Sequence, residues 1–229
     1  MPRHRSEKMW LRAALLAVLA GLAACQTKPK LPPGVTPTIT VGPALKSEEW
    51  KAVATAADED RLARLGLAWS EALADANKTN PADVRREGPL LRPRSGLARP
   101  EPTPGSYRCR LFQLGRKTPK SRAFESFKPF FCYVQVDAED QLTFTKQTGS
   151  QRPSGRFWAD DDTKRMIFLG TMANDPREAQ LAYGTDGKRD LVGTFERIDA
   201  FRWRLVIPWP QEKSKLDVYE LTPVADQPQ

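Results

Sequence analysis

The sequence predicts a mainly β fold of the α+β class, in which an N-terminal helical pair packs on an antiparallel up-and-down β-barrel or sandwich. Apolar and polar residues alternate in short runs from residue 105 to 223, which is typical of half-buried antiparallel strands. No helical pattern interrupts these runs, and such an order favours a closed or nearly closed sheet. Two apolar stripes with helical spacing precede the strands, between residues 47 and 76.

The N-terminus resembles a bacterial lipoprotein processing site. A basic start is followed by an apolar run from Leu11 to Ala24, and the run ends in Leu-Ala-Ala-Cys at Cys25. Such a run is too short to span a bilayer and has the form of a secretory signal. We therefore predict a lipoprotein signal peptide over residues 1–24 and lipidation of Cys25. An ordinary signal peptide or a short hydrophobic anchor, with Cys25 incidental, is the alternative.

The predicted lipid at Cys25 also predicts a location. Proteins with this pattern carry three acyl chains, which is more than the roughly two chains that stable membrane anchoring requires. Position 26 is Gln rather than the Asp that usually retains such proteins at the inner membrane. We therefore expect a protein of the cell envelope that is lipid-anchored in the outer membrane, faces the periplasm and has the membrane as one partner.

Composition limits the chemistry of the mature chain. Removal of residues 1–24 takes four of the 36 Lys and Arg and one of the 28 Asp and Glu, which leaves 32 basic against 27 acidic residues. The single histidine, His4, is lost with them, and with it the commonest general base and metal ligand. Hydrolase triads and two-histidine zinc sites are therefore excluded. We expect no metal, no cofactor, no nucleic-acid partner and no enzymatic activity.

The chain from Cys25 onward divides into four segments. Residues 25–46 are rich in proline and predict an extended, semi-rigid tether. Residues 47–104 predict a helical segment and a basic connector, residues 105–223 an antiparallel β-domain, and residues 224–229 a disordered tail. The connector carries five arginines between positions 85 and 99. These indicate either contact with phosphate-bearing lipids or a merely solvated connector.

Two helices are predicted before the β-domain. Ser47, followed by two glutamates, predicts the start of a short helix. The apolar stripe that begins at Trp50 then loses its phase, and Thr55 predicts the cap of a second, longer helix. Trp50 and Trp69 lie on these stripes, so we expect them to cover one side of the β-domain rather than to bind a ligand.

The first strands of the β-domain carry a predicted disulfide. Cys109 and Cys132 each lie on the apolar face of a predicted strand. With Cys25 lipidated, they are the two cysteines left in an oxidising compartment, which predicts a Cys109–Cys132 disulfide. A redox-active pair is the alternative, although these cysteines lack the Cys-x-x-Cys spacing that lowers a thiol pKa.

Alternation predicts the later strands as well. They fall at about 141–148, 155–159, 164–172, 180–184, 190–198, 201–208 and 215–222. Residues 166–169 are apolar throughout, so we expect cover on both faces of that strand. The Gly105-x-Tyr107 opening resembles the Gly-x-Trp of lipocalin-type barrels, which makes the expected barrel lipocalin-like.

Two groups of polar residues are candidates for ligand binding. Arg108 and Arg110 point away from the apolar face that carries Cys109. Ser150, Gln151 and Arg152 lie between glycines, which lets a backbone approach a polar ligand closely. A hairpin turn is the alternative explanation of the second group.

Acidic residues offer a weaker candidate site. Asp160, Asp161, Asp162 and Glu178 could supply a pair of carboxylates for glycan cleavage. A run of three aspartates is more typical of an exposed turn. We therefore assign no catalytic residue.

Short motifs in a fixed order resemble a known family. They are Tyr107-Arg-Cys-Arg110, Cys132 after an aromatic cluster, Thr148-Gly-Ser-Gln-Arg152, Tyr183-Gly184, Val192-Gly193 and Trp203-Arg-Leu205. Over residues 47–223 the chain is similar to the bacterial domain-of-unknown-function family 4893. The resemblance implies an exported, often lipidated envelope protein, and it implies no activity and no site residues.

These observations favour a non-enzymatic binding or interaction module in the periplasm, with a small ligand, a glycan or a protein as its partner. A tethered, disulfide-linked β-domain without histidine suits binding better than catalysis. A periplasmic protease inhibitor of the small β-barrel type is the alternative, with the extended arm at 26–46 entering an active-site cleft. A glycan-cleaving enzyme is the third hypothesis.

Overall fold

The structure is a computed structural model that describes residues 45–210 and 214–224. In this part of the chain, nine strands fill the eight positions of a closed antiparallel β-barrel. The first strand pairs with the second, the third and the last, and from the third onward each strand pairs with the next along the chain. The predicted up-and-down barrel is therefore confirmed. The strands are β1 (Gly105–Arg116), β2 (Phe124–Ser126), β3 (Phe130–Val136), β4 (Leu142–Lys146), β5 (Arg152–Ala159), β6 (Met166–Ala173), β7 (Asp190–Asp199), β8 (Arg202–Pro208) and β9 (Ser214–Pro223).

Several predictions fall outside the described residues. They are the signal peptide at 1–24, the lipidated Cys25, the tether as far as residue 44, and residues 225–229 of the predicted tail. These remain predictions.

Strands β2 and β3 share one place in the barrel. β2 pairs with the second half of β1, where Glu125 lies opposite Gln113. β3 pairs with the first half of β1, where Cys132 lies opposite Tyr107. Pro129 lies between the two strands and lacks the N–H that would continue the ladder. The sequence did not predict β2, because three residues are too few to show an alternation.

One predicted strand is wrong. Residues 180–184 belong to a loop between β6 and β7 rather than to the sheet. Tyr183 in this loop binds the helical segment instead, where its hydroxyl accepts a hydrogen bond from the Thr55 N–H at 3.0 Å. Tyr183 also packs against the apolar cluster that contains Trp50 and Ile167, so its place in an apolar pattern does not require a strand.

The predicted disulfide is present. Cys109 and Cys132 are bonded, and their Cα atoms are 6.0 Å apart. The bond joins β1 to β3, and both side chains are buried in the barrel interior.

The interior of the barrel is filled by inward-facing side chains. Phe157 is one of them. The centroid of its ring is 4.3 Å from the ring centroid of Phe195 and 5.7 Å from that of Phe168. Apolar residues from β1 and from β3 through β9 complete this core, and each is nearly or fully buried. A well-packed interior of this kind leaves the outer surface as the place for a partner.

Helices precede the barrel and lie on its outside. They are α1 (Ser47–Val53), α2 (Ala56–Ala63), α3 (Leu65–Thr79) and α4 (Pro81–Arg86), followed by a 3-10 turn (Gly88–Leu91). The predicted cap is present, since the Thr55 hydroxyl accepts from the Asp58 N–H. The predicted second helix is divided at Arg64, whose dihedral angles (φ −93°, ψ 13°) leave the helical region. Residues 81–86 and 88–91, which include part of the predicted basic connector, are thus helical.

Two apolar clusters attach the helices to the barrel. Trp50 and Leu62 pack on Ile167, Leu169 and Val192. Trp69 and the small residues of α3 pack on the outer faces of β1, β8 and β9. The cover predicted for both faces of 166–169 is confirmed, and so are the covering roles of Trp50 and Trp69. In the described residues, none of the helices has the length and apolar character needed to cross a membrane.

Candidate functional site

Arg108 and Arg110, predicted to bind a ligand, lie on the outer face of β1. They line a shallow depression of about 560 Å³ near the β2–β3 junction. The Arg108 side chain is exposed. The Arg110 guanidinium donates to Glu220 and, at 2.8 Å, to Glu87. Arg110 is therefore already engaged by carboxylates of the same chain.

Glu220 ties the barrel to the segment before it. Arg202 Nε donates to one Glu220 oxygen at 2.5 Å, while Arg110 donates to the other. Glu87 lies against the same two guanidinium groups. Four alternating charges thus hold the end of α4 against β1, β8 and β9, which is a structural role.

Ser150 and Gln151 belong to a hairpin turn that is closed by its own lysine. Lys146 Nζ donates to the carbonyl oxygens of Ser150 at 3.2 Å and Gln151 at 3.0 Å. Gln151 has a φ of 53°, a left-handed conformation that is common in turns. A Cβ on Gly155 would lie 2.3 Å from the Leu169 carbonyl oxygen, so this glycine serves close strand packing rather than ligand approach.

Arg152 holds the loop between β6 and β7. Its guanidinium donates to the carbonyl oxygens of Asp175, at 3.0 Å, and Glu178. Gln180 donates back to the Arg152 carbonyl oxygen at 2.8 Å. The structure therefore does not bring the two predicted groups together, because Arg108 and Arg110 contact α4, β8 and β9 whereas residues 150–152 contact their own turn and this loop.

The aspartate run that begins at Asp160 fixes the start of the helical segment. Asp160 is buried, and it accepts from Trp50 Nε1 at 3.1 Å and from Arg165 Nε at 2.6 Å. Asp161 accepts from the N–H of Ser47, the first residue of α1, at 3.4 Å. Both carboxylates are thus occupied by contacts that orient α1.

The remaining carboxylates of the glycan-cleavage hypothesis are also engaged. Asp162 caps its own turn by accepting from the Lys164 N–H at 2.9 Å. Glu178 forms an ion pair with Arg189 and accepts from the Asn174 N–H at 2.6 Å. Within residues 45–210 and 214–224, no cluster of three or more acidic, histidine or cysteine side chains is arranged to hold a metal ion.

A buried polar cluster that the sequence did not predict fixes the β6–β7 loop to the helices. The Tyr183 hydroxyl donates to Asp58, which also forms an ion pair with Arg61. Burial, with the hydrogen bond to Asp58, raises the pKa of Tyr183 to about 12. Asp190 accepts from the Gly184 N–H at 3.0 Å, and burial raises the pKa of its carboxyl. This cluster builds one wall of a groove.

The groove, called here the β4–β6 groove, has a volume of about 460 Å³. It lies on the outer surface of β4, β5 and β6, between the end of α1 and the β6–β7 loop. Its lining combines hydroxyl groups, two aromatic rings, one arginine and aliphatic side chains. The lining residues are Val53, Thr143, Thr145, Ser154, Gly155, Arg156, Trp158, Leu169, Gly170, Leu181, Ala182 and Tyr183.

A row of hydroxyl groups crosses the floor of this groove. Thr145 lies opposite Ser154, and their side-chain oxygens are 3.0 Å apart. Thr171 lies opposite Ser154 on β6, but it is buried and donates to the Leu181 carbonyl oxygen at 2.8 Å. A hydroxyl can donate one hydrogen bond and accept two, so the Thr145 and Ser154 pair retains capacity for a ligand.

Charge and aromatic surface flank the hydroxyl row. Arg156 lies at 2.7 Å from carboxylate oxygens of both Asp137 and Glu139. Trp158 and Tyr183 line the groove on the side of the helices. The Trp158 indole N–H is shielded from solvent and has no acceptor in the described part of the chain. The site can thus offer aromatic faces and hydroxyl groups to one ligand, whereas Arg156 is already engaged by two carboxylates of the same chain.

One comparison with known proteins identifies the family. The family model described as Domain of unknown function (DUF4893) matches residues 50–221, well over half of the chain. The chain belongs to the DUF4893 family. No curated protein matches it, and no solved structure does.

The matched range of the DUF4893 chain contains the whole barrel apart from the last residues of β9, both bonded cysteines and nearly all of the helical segment. The β4–β6 groove lies inside it too. The groove is therefore built from the family's own domain. The family description names no activity, and nothing in the comparisons points to an enzyme.

The sequence contained a signal for this groove in the DUF4893 chain. Thr143 and Thr145 alternate with buried Phe144, and Ser154 and Arg156 continue the outward face on the next strand. Strand periodicity could have placed these hydroxyls on one outer surface. The second wall could not have been found in this way, because Tyr183 is brought to it by a loop.

Proposed function

We propose that this protein is a non-enzymatic binding module of the bacterial cell envelope, anchored through a lipid on Cys25, and that it binds a glycan in the β4–β6 groove. The observation that carries the proposal is the Thr145 and Ser154 hydroxyl pair on the floor of a groove that Trp158 and Tyr183 also line.

The chemistry of sugars explains why this combination favours a glycan. A sugar ring presents hydroxyl groups around its edge and an apolar face of C–H groups. Hydroxyl and charged side chains can hydrogen-bond the edge, while an aromatic ring packs against the apolar face. The volume of about 460 Å³ lies within the range of roughly 300–1,000 Å³ for small-molecule sites.

Binding without reaction is supported by the state of the acidic residues. Glycan cleavage needs two free carboxylates facing one sugar linkage. Asp160 and Asp161 are committed to Trp50, Arg165 and Ser47. Glu139 is not part of the groove lining and is paired with Arg156, which is.

A binding measurement with matched variants tests the proposal. We expect soluble fragments of envelope glycans to bind the full chain saturably in isothermal titration calorimetry. Thr145→Val and Ser154→Ala should each weaken this binding by about tenfold, the effect of roughly 1.4 kcal/mol. Thr222→Val is the control, because Thr222 is also an outward threonine on a strand but bonds to the Arg108 carbonyl, away from the groove. The proposal would be contradicted if no glycan in the panel bound saturably. It would also be contradicted if Thr222→Val weakened glycan binding as much as the groove variants.

The location is tested separately. Labelled palmitate should be incorporated into the wild-type chain in its native host, and Cys25→Ser should abolish the label and release the protein from the membrane fraction. Retention of both the label and the membrane association in the variant would show that Cys25 is not the anchor.

A further inference from the structure

Another cavity lies apart from the floor of the β4–β6 groove, on the helical side of the molecule. It is called here the helix cleft, and its volume is about 720 Å³. It is bounded by α2 and α3, by the connector at residues 93–96 and by the β5–β6 turn. The lining residues are Leu62, Ala63, Leu65, Gly66, Trp69, Ser70, Leu73, Pro93, Arg94, Gly96, Asp162, Lys164, Arg165 and Glu196.

One side of the helix cleft is apolar. Leu65, Trp69 and Leu73 are spaced by four residues along α3 and therefore lie on one face of it. Trp69 is nearly buried, while Leu65 and Leu73 are only partly covered. The apolar stripe of α3 is thus wider than the part of it that the barrel covers. The uncovered edge of the stripe, at Leu65 and Leu73, lines the cleft.

The other side carries two cations that form no ion pair within the described residues. Lys164 and Arg94 are exposed, and in the described part of the chain neither side chain has a carboxylate partner. Two acidic residues also line the cleft, and neither forms an ion pair with these cations. Glu196 binds Arg204 at 2.5 Å, and the Asp162 carboxylate caps its turn.

The backbone brings these two cations to one rim. A Cβ on Gly96 would lie 3.0 Å from the Lys164 carbonyl oxygen, so the connector passes directly against the β5–β6 turn. Arg94 is two residues before Gly96 and has a φ of 57°, a left-handed conformation that is uncommon for a residue with a Cβ. Both cations line the same cleft, and an anion bound between two like charges relieves their mutual repulsion.

We propose that the helix cleft binds a single-chain anionic amphiphile, with the acyl chain along Leu65, Trp69 and Leu73 and the anionic head group between Arg94 and Lys164. Both parts are needed, because the cations supply affinity for the charge and the partly covered leucines supply affinity for the chain. This site is independent of the glycan proposed for the β4–β6 groove.

The test uses three probes and the full chain with Cys25→Ser, which removes the protein's own predicted lipid. Lysophosphatidylglycerol, kept below its micelle concentration, should bind saturably in isothermal titration calorimetry. Lysophosphatidylcholine has the same chain without net charge and should bind at least tenfold more weakly. Glycerol phosphate has the charge without the chain and should show no saturable binding. Each methylene added to the chain should strengthen binding by up to about fourfold.

Matched variants locate the site. Arg94→Gln and Lys164→Gln should each weaken lysophosphatidylglycerol binding by about fivefold, since a nearby cation contributes on the order of 1 kcal/mol to the binding of an anionic head group. Arg85→Gln and Arg92→Gln are the controls, because these residues are exposed cations of the same segment that do not line the cleft. Equal binding of the charged and uncharged lipids, equal binding of glycerol phosphate, or equal losses in the controls would each overturn the proposal.

Discussion

The barrel has two outer walls of opposite character. On the covered wall, formed by β6 to β9 and the second half of β1, outward residues such as Ile167, Val206 and Val218 are buried under the helices. On the open wall, formed by β3, β4 and the first half of β5, the outward positions hold mostly polar residues such as Tyr133 and Thr145, together with the exposed Phe131. Both walls are made of the same ladder of strands, so outward side-chain chemistry decides which one receives the helices.

The largest effect is expected at the charge buried beneath the covered wall. Arg204 has no exposed surface. It binds Glu196 at 2.5 Å and donates to the carbonyl oxygens of Pro89, Leu90 and Arg92. Arg204→Met leaves these partners buried without a donor, so the free energy of unfolding in urea should fall by about 3–5 kcal/mol.

An arginine on the open wall provides the control for Arg204. Arg156 also pairs with carboxylates, Asp137 and Glu139, but about a third of its side chain is exposed. Arg156→Met should therefore lower the free energy of unfolding by less than about 1 kcal/mol. Similar losses in the two variants would show that burial under the helices is not what makes Arg204 important.

The next largest effect concerns the bond that joins the two walls. The Cys109–Cys132 disulfide links β1, which takes part in the covered wall, to β3 of the open wall. Replacing both cysteines by Ala should lower the free energy of unfolding by about 3 kcal/mol, because the unfolded chain regains the entropy of the closed loop. Urea unfolding of the double variant and of the wild type, with and without reductant, measures this difference, and reductant should not affect the double variant.

A buried carboxyl makes stability depend on pH. Burial raises the pKa of Asp217 from 3.8 to about 6, and its only described side-chain partners are the Ser214 hydroxyl and the Gln113 amide. The folded state thus holds this proton more tightly than the unfolded state. The contribution of Asp217 to stability is complete below pH 3.8 and is lost as the pH rises to about 6.

Asp217→Asn should remove this pH dependence. The variant should exceed the wild type by up to about 3 kcal/mol at pH 7.5, at roughly 1.4 kcal/mol for each pH unit between the two pKa values. At pH 3.5 the two proteins should be nearly equal in urea unfolding. An equal difference at both pH values would show that the ionised carboxyl is not the cause.

The smallest effects come from exchanging side chains between the walls. Val206→Thr places a hydroxyl under the helices, where it should cost about 1–3 kcal/mol unless it finds a partner. Thr145→Val on the open wall should change the free energy of unfolding by less than about 0.5 kcal/mol. Thermal and urea unfolding of the two single variants tests the contrast directly. Equal effects would remove the distinction between the walls.

Sequence patterns predicted those features that depend on near neighbours in the chain. The barrel follows from a period of two in the strands, and the cover over 166–169 follows from the continuous apolar run there. The disulfide follows from two cysteines on apolar strand faces. The cap at Thr55 follows from the spacing of the residues after it. The same local logic failed at 180–184, where packing against the helices imitated a strand, and at Arg64, where the stripe gave no sign of a break.

The candidate sites were less predictable than the fold. Each groove wall comes from elements that are far apart in sequence, as when Tyr183 meets Asp58 across 125 residues. Arg110 was singled out as a surface arginine, but its ion pairs with Glu87 and Glu220 depend on the closed barrel. The sequence therefore shows that an arginine points outward, but not whether a carboxylate from a distant part of the chain already forms an ion pair with it.

The pairing of β1 with β9 governs the order in which the barrel can form. Cys109 lies opposite Leu221, so closure joins segments more than a hundred residues apart, and contacts of this kind slow folding. During synthesis β1 emerges long before its final neighbour and keeps an unpaired edge until residues 214–223 arrive. The β1–β3 hairpin and its disulfide can form in the meantime and shield the other edge. A chain truncated before β9 should therefore expose a long, apolar strand edge and aggregate.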